Sequence, residues 1–228
     1  MDAAARRAIL SRAKIFQGLS PGDLEAVAAQ VVVRRFGRGE AILHRGDPSP
    51  GMFIIASGKV RISLVSEDGK EVTLGILGDG EVMGEMSLFD GGERSADATA
   101  QEDCVMLAIE RSQFHRLLRL NSELCLHLLA VLSRRLRRAN SALEDMALYD
   151  LPGRLGRLLL RLADDYGATG AEGIRIELKL SQKDLSTLVG GSREKVNKQL
   201  RRWEEDGVLA KDGNRMVILQ PEALASLD

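Results

Sequence analysis

Between Asn121 and Tyr149 the chain carries its longest unbroken helical pattern, and that pattern dictates how the rest can be arranged. Cys125, Leu129, Leu132, Leu136, Ala139, Leu143 and Met146 recur at alternating steps of four and three residues, the spacing of a coiled-coil seam. Two such helices would pair to make a homodimer. A helix packed on its own domain could show a similar stripe, but the run is long, and Arg134-Arg135-Leu136-Arg137-Arg138 surrounds one seam position with charge. Pairing is therefore the expectation, and the basic run reads as a solvated face.

The two sides of this helix differ in period. Upstream, residues 3 to 15 and the stretch opened by Ser20-Pro21-Gly22-Asp23 read as lead-in helices, with Pro21 in a first turn. From Val31 onward short β-rich runs alternate with glycines from Gly37 to Gly84. Met52-Phe53-Ile54-Ile55 and Val60 to Val65 read as strands, with Glu67-Asp68-Gly69-Lys70 as a hairpin turn. A final strand from Asp97 to Ile109 would close a small β-barrel or sandwich, and a short helix from about Ser112 to Leu120 follows. At 228 residues the chain can bury a good core and form one large or two modest domains.

The chemistry concentrates in the last loop of the β-rich part. Gly84-Glu85-Met86-Ser87-Leu88-Phe89 precedes Asp90-Gly91-Gly92-Glu93 and then Arg94-Ser95-Ala96. A glycine before a short helix frees backbone N–H groups that attract anions. Arg94 would neutralise a phosphate and Ser95 would add a hydroxyl donor, while Glu85 suits a sugar hydroxyl. Together they suggest a phosphorylated sugar. The plainer reading is an ion pair between Glu85 and Arg94 across a loop. Val72 and Leu74 supply either an apolar wall against a base or ordinary core.

Downstream, Tyr149-Asp150-Leu151-Pro152-Gly153 interrupts the long helix, which places a hinge there. Arg154 to Tyr166 reads as an amphipathic helix, Gly167 to Gly173 as a loop, and Ile174 to Leu178 as a strand. Ser181-Gln182-Lys183-Asp184 forms a capping box before one helix. Gly190-Gly191 then makes a tight turn, and Ser192 caps a second helix with Val196, Leu200 and Trp203 on one face. Helix, glycine turn, helix is a DNA-reading signature. The opposite face carries Arg193, Glu194, Asn197, Lys198 and Arg201. Arginine pairs with guanine and glutamate accepts from cytosine, although Glu194 could equally serve the helix dipole. Lys195, Lys198, Arg201 and Arg202 make a local patch for phosphates. Val208 to Lys211, Asp212-Gly213-Asn214 and Arg215 to Leu219 read as a terminal hairpin wing.

Gly-Glu-x-x-Leu followed by Arg-Ser-Ala resembles the phosphate-binding cassette of the CRP/FNR family of bacterial transcription regulators, and the similarity extends through the helix-turn-helix. The resemblance implies an α+β chain with an N-terminal cyclic-nucleotide-binding β-roll, jelly-roll-like, a long dimerisation helix and a C-terminal winged helix-turn-helix. Boundaries fall at 1–120, 121–149 and 150–228. It implies that Gly84 and Glu85 hold a ribose, Arg94 and Ser95 hold a cyclic phosphate, and Gly191-Ser192-Arg193-Glu194 with Val196 opens the recognition helix. Cyclic AMP or a related cyclic nucleotide is the implied effector, and a palindromic DNA duplex, a second copy of the chain and RNA polymerase are the implied partners. Two positions depart from the family's pattern. Where its cyclic-AMP-binding members place adjacent hydroxyl residues against adenine, this chain has Ala139 and Asn140, of which only Asn140 can hydrogen-bond through its side chain. Where a later arginine reads the half-site, this chain has Lys198, which lacks the planar fork.

Other classes are disfavoured. A net charge of -1 leaves DNA affinity to local patches. The N-terminus lacks a signal-peptide core and no apolar run approaches a membrane span, so a cytoplasmic protein is expected. Cys104 and Cys125 lie among apolar residues and read as inert thiols, and no cysteine precedes Ser20 to build an iron–sulfur sensor. His44, His115 and His127 show no ligand-spaced pair for haem. No metal site is expected. An enzyme would have Glu85 as general base with neither nucleophile nor partner acid, and would leave the helix-turn-helix unexplained. A regulator of the same family sensing haem or another nucleotide, or active without a ligand, is the alternative.

Overall fold

The computed structural model describes residues 1–213 and 215–227. Two compact units emerge, Met1–Leu136 and a second from Arg137 onward.

In the first unit, α1 (Ala3–Arg12) and α2 (Pro21–Gln30) precede eight strands. Asp2 and Ser20 cap the two helices by accepting from the backbone N–H groups of Ala5 and Asp23. The strands are β1 (Val32–Phe36), β2 (Ala41–Leu43), β3 (Gly51–Ser57), β4 (Val60–Val65), β5 (Glu71–Leu77), β6 (Val82–Met83), β7 (Asp97–Ala100) and β8 (Cys104–Glu110). They form two antiparallel sheets, ordered β1-β8-β3-β6 and β2-β7-β4-β5. Ile55 and Met106 of one sheet and Val60 and Ala98 of the other share one apolar cluster, as the inner faces of a β-roll must. A second cluster gathers Leu10, Phe16, Val27, Ile54, Phe114 and Leu124 around the helices. The short α3 (Met86–Asp90) and the longer α4 (Arg111–Leu120) complete the unit before α5 (Ser122–Leu148).

The expected closing strand from Asp97 to Ile109 is two strands in different sheets. Gln101, Glu102 and Asp103 carry the chain across from β7 to β8, and the Asp103 carboxylate fixes the crossing by accepting from the Arg38 N–H at 3.0 Å.

In the second unit, α6 (Leu151–Tyr166) starts three residues earlier than expected. Pro152 is tolerated because a first-turn residue needs no N–H donor, and Asp150 caps the helix by accepting from Gly153 N–H at 3.0 Å. The expected loop from Gly167 to Gly173 is largely strand. β9 (Gly167–Gly170) pairs with β10 (Gly173–Ile176), and β11 (Leu209–Asp212) and β12 (Arg215–Ile218) complete a sheet ordered β11-β12-β10-β9. Backbone pairing there overrides a glycine-rich composition that disfavours strand. Between β10 and β11 lie α7 (Gln182–Val189) and α8 (Arg193–Glu205), and α9 (Pro221–Ala225) ends the fold. The expected capping box is present, with Ser181 and Asp184 reciprocally bonded. β11 and β12 form the anticipated wing; its turn residue Asn214 lies outside the described residues.

Candidate functional site

The first candidate site gathers around the turn between β6 and α3. Gly84 adopts φ +77°, a conformation that costs any side chain with a Cβ. A Cβ there would also overlap Arg94 Nη1. Glycine is thus demanded twice, by the backbone and by the guanidinium lying on it. Arg94 is buried; its Nη1 donates to the Gly84 carbonyl at 2.8 Å and its Nη2 to the Gly51 carbonyl at 2.7 Å. Its Nε is buried without a partner among the described residues. Burial pulls the Arg94 guanidinium below its ordinary value, while the charges of Glu85 and Asp47 push it back up.

Glu85 is 1% exposed. The expected alternative, an ion pair with Arg94, is not what engages it: its Oε1 accepts from Arg135 of α5, and Arg135 also donates to the Val82 carbonyl. Glu85 Oε2 is buried and has no hydrogen-bond partner among the described residues. Arg135 therefore leaves the solvated face on which the sequence reading put the whole Arg134–Arg138 run. Helical periodicity carried a signal: Arg135 falls one turn after Val131, which packs on the first unit's core.

Ser95 is exposed, its hydroxyl 3.7 Å from the Met86 sulfur. Val72 is half-buried and pairs with Leu64. Leu74 is 57% exposed and stands at a register shift between Ser63↔Thr73 and Ile62↔Gly75, where a bulged residue is turned out of the ladder. Gly84, Glu85 and Arg94 thus converge, Ser95 flanks them, and Leu74 is not a core residue. Asn140 and Ala139 are exposed and belong to the second unit.

The seam residues of α5 divide from its buried face. Leu124 and Leu128 are buried in the first unit's core, whereas Leu129, Leu136 and Leu143 are 58, 63 and 69% exposed. Ala139 is exposed too, and Leu132 is half-buried against the core. Leu132 thus touches the roll, while Leu129, Leu136, Ala139 and Leu143 stand clear of it.

The second candidate site is α8. Val196, Leu200 and Trp203 are buried, which turns Arg193, Glu194, Lys195, Lys198 and Arg201 outward, all exposed. Ser192 caps the helix by accepting from the Lys195 N–H. Asn197 is only half-exposed, and its Oδ1 is buried without a partner among the described residues. Gly190, at φ +65°, makes the turn from α7, and Lys211 of the wing pairs with Glu204 at 2.5 Å.

Both cysteines are unpaired, Cys104 buried and Cys125 partly so, and burial pushes the Cys104 thiol up. Among the described residues no cluster of His, Cys, Asp and Glu could hold a metal ion, and no helix is long and apolar enough to cross a membrane.

Comparison with known proteins covers both sites. The cyclic nucleotide-binding domain family matches residues 33–121, and the Crp-like helix-turn-helix domain family matches residues 153–227. A CRP-like cAMP-activated global transcriptional regulator of Mycobacterium tuberculosis is 37% identical over 217 residues, covering 95% of this chain and 97% of that one. The cyclic AMP receptor protein of Thermus thermophilus is 35% identical over 195 residues, covering 86% and 87%. Among solved structures, the c-di-GMP responsive global regulator CLP of Xanthomonas campestris superposes with a TM-score of 0.73 at 26% identity, covering 87% of this chain and 99% of that one.

Proposed function

This chain belongs to the CRP/FNR family of DNA-binding transcription regulators, and on that premise we propose that it is a homodimer whose operator affinity is set by a cyclic nucleotide, most simply cyclic AMP. The functional division is residues 1–120 for the effector domain, 121–149 for the dimerisation helix and 150–228 for DNA reading.

The observation that carries this reading is the state of Glu85. A buried carboxylate with one oxygen held by Arg135 and the other without a partner among the described residues is a site for hydroxyl donors. A ribose hydroxyl donates to Oε2. The cyclic phosphate takes the Arg94 guanidinium and the Ser95 hydroxyl, with Gly84 permitting the close approach. Ribose and Arg135 then share one carboxylate through its two oxygens, and because Arg135 is on α5, filling the site bears on the helix that carries the seam. A ligand that binds one arrangement of α5 more tightly than another shifts the population toward it. Val72 and Leu74 offer apolar surface to the base, and Asn140 is the one hydrogen-bonding side chain of the pair at 139–140.

Leu129, Leu132, Leu136, Ala139 and Leu143 form the seam with a second copy. Burying each exposed leucine contributes about 1.5–3 kcal/mol. Ser192, Arg193, Glu194, Asn197, Lys198 and Arg201 face a half-site, with Arg193 and Glu194 on base edges, and two-fold pairing sets half-sites about one helical turn apart. RNA polymerase is the further partner, the compartment is the cytoplasm, and the chain is not an enzyme.

Calorimetric titration with a panel of cyclic mono- and dinucleotides tests the effector. Cyclic AMP is expected to bind and to raise operator affinity, and Arg94→Ala is expected to abolish the rise. A protein that binds its operator equally well without any nucleotide, and is unaffected by that substitution, contradicts the gating.

A further inference from the structure

The elbow between α5 and α6 is held by charge. Asp145, near the end of α5, is 3% exposed. Its Oδ1 accepts from Arg157 Nε at 2.5 Å, and its Oδ2 lies 2.6 Å from Arg161 Nη1, a charge contact without hydrogen-bond alignment. Arg157 and Arg161 are one turn apart on α6, so two guanidinium groups converge on one carboxylate. Glu144, half-exposed, reaches Arg157 only at 3.9 Å.

The same fork grips the break in the helix. Arg157 lies 4.5 Å from the centroid of the Tyr149 ring and donates to the Tyr149 hydroxyl at 3.4 Å, a cation–π contact. Arg154 donates to the Tyr149 carbonyl at 3.1 Å. At the far end of the tail, Arg138 donates to both oxygens of Asp165 at 2.9 and 3.0 Å. From Arg137 to Leu148 every α5 side chain except Asp145 is exposed or half-buried. A carboxylate withdrawn from water is costly unless paired, so the two arginines that cover Asp145 are also what makes its burial tolerable.

We propose that Asp145 is a positioning residue for DNA reading: by gathering Arg157 and Arg161 it fixes the elbow, so that the tail of α5 and the helix-turn-helix move as one body. The DNA half of this rests on the function proposed above; the mechanical half does not.

Nitroxide labels on Ala142→Cys and Asp164→Cys, both exposed positions, in a Cys125→Ala background and spin-diluted with unlabelled protein, report the distance from tail to α6. The parent is expected to give one narrow distribution that does not move when a duplex enriched from a random-sequence pool is added. Asp145→Asn is expected to broaden it and to weaken binding of that duplex about tenfold, within the range of measured coupling between sites. Asp145→Glu, which keeps the charge, restores both at least in part. Should Asp145→Asn fail to fold, Arg161→Gln must give the same broadening. A narrow distribution in these variants, or a parent distribution that shifts with DNA, overturns the clamp. Broadening without loss of DNA affinity overturns the positioning role. If no duplex is enriched, the DNA reading fails and the distance measurements still decide the clamp.

Discussion

Two residues of the first candidate site show how one side chain constrains another. Arg94 is buried by lying on Gly84, and Gly84 is held in the left-handed region beneath it. Gly84→Ala is therefore expected to lower stability by about 1–3 kcal/mol, read as a lower denaturation midpoint at unchanged slope. Glu85 and Arg135 form the other couple. Arg135→Gln leaves a carboxylate in the interior without its cation, and since Arg135 is itself a third exposed the expected loss is about 2 kcal/mol, below the range for fully buried pairs. The double substitution Glu85→Gln, Arg135→Gln should recover much of that loss in a double-mutant cycle. Additive losses would mean that the two side chains do not interact. The glycine, the glutamate and the arginine of the cassette were legible in the sequence because their spacing is local. Arg135 was not, because its partner lies fifty residues away and a run of four arginines looks alike from the outside.

Secondary structure was legible wherever a local signal set a boundary, as with the capping box at Ser181 and Asp184 and the glycine turn at Gly190. It was not legible where tertiary pairing decided the outcome. The strand at Gly167–Gly170 exists because β10 pairs with it, and the crossing at Gln101–Asp103 exists because the roll has two sheets to fill. The stripe on α5 left two occupants open; Leu132 packs on the core beside Leu124 and Leu128, while Leu136 and Leu143 are exposed. Replacing Leu136 and Leu143 together by Glu is expected to give a folded monomer in sedimentation velocity that has lost operator binding. A stable dimer in that variant would assign the seam elsewhere.

Across the whole molecule, the two units differ in the chemistry they present. The first offers a buried carboxylate and a buried guanidinium beside a glycine turn, suited to an anionic sugar. The second offers an exposed face of arginine, glutamate and lysine over an apolar stripe, suited to base edges and phosphates. One helix contributes to both units, and the arginine that engages Glu85 lies on it. In the function proposed above, filling the first site changes what the second can bind. Its most direct test is the affinity of the protein for its selected duplex, measured by fluorescence anisotropy with and without saturating cyclic AMP. Binding is expected to be tighter with the nucleotide by about tenfold or more, whereas equal affinity in the two conditions would rule out coupling between the sites.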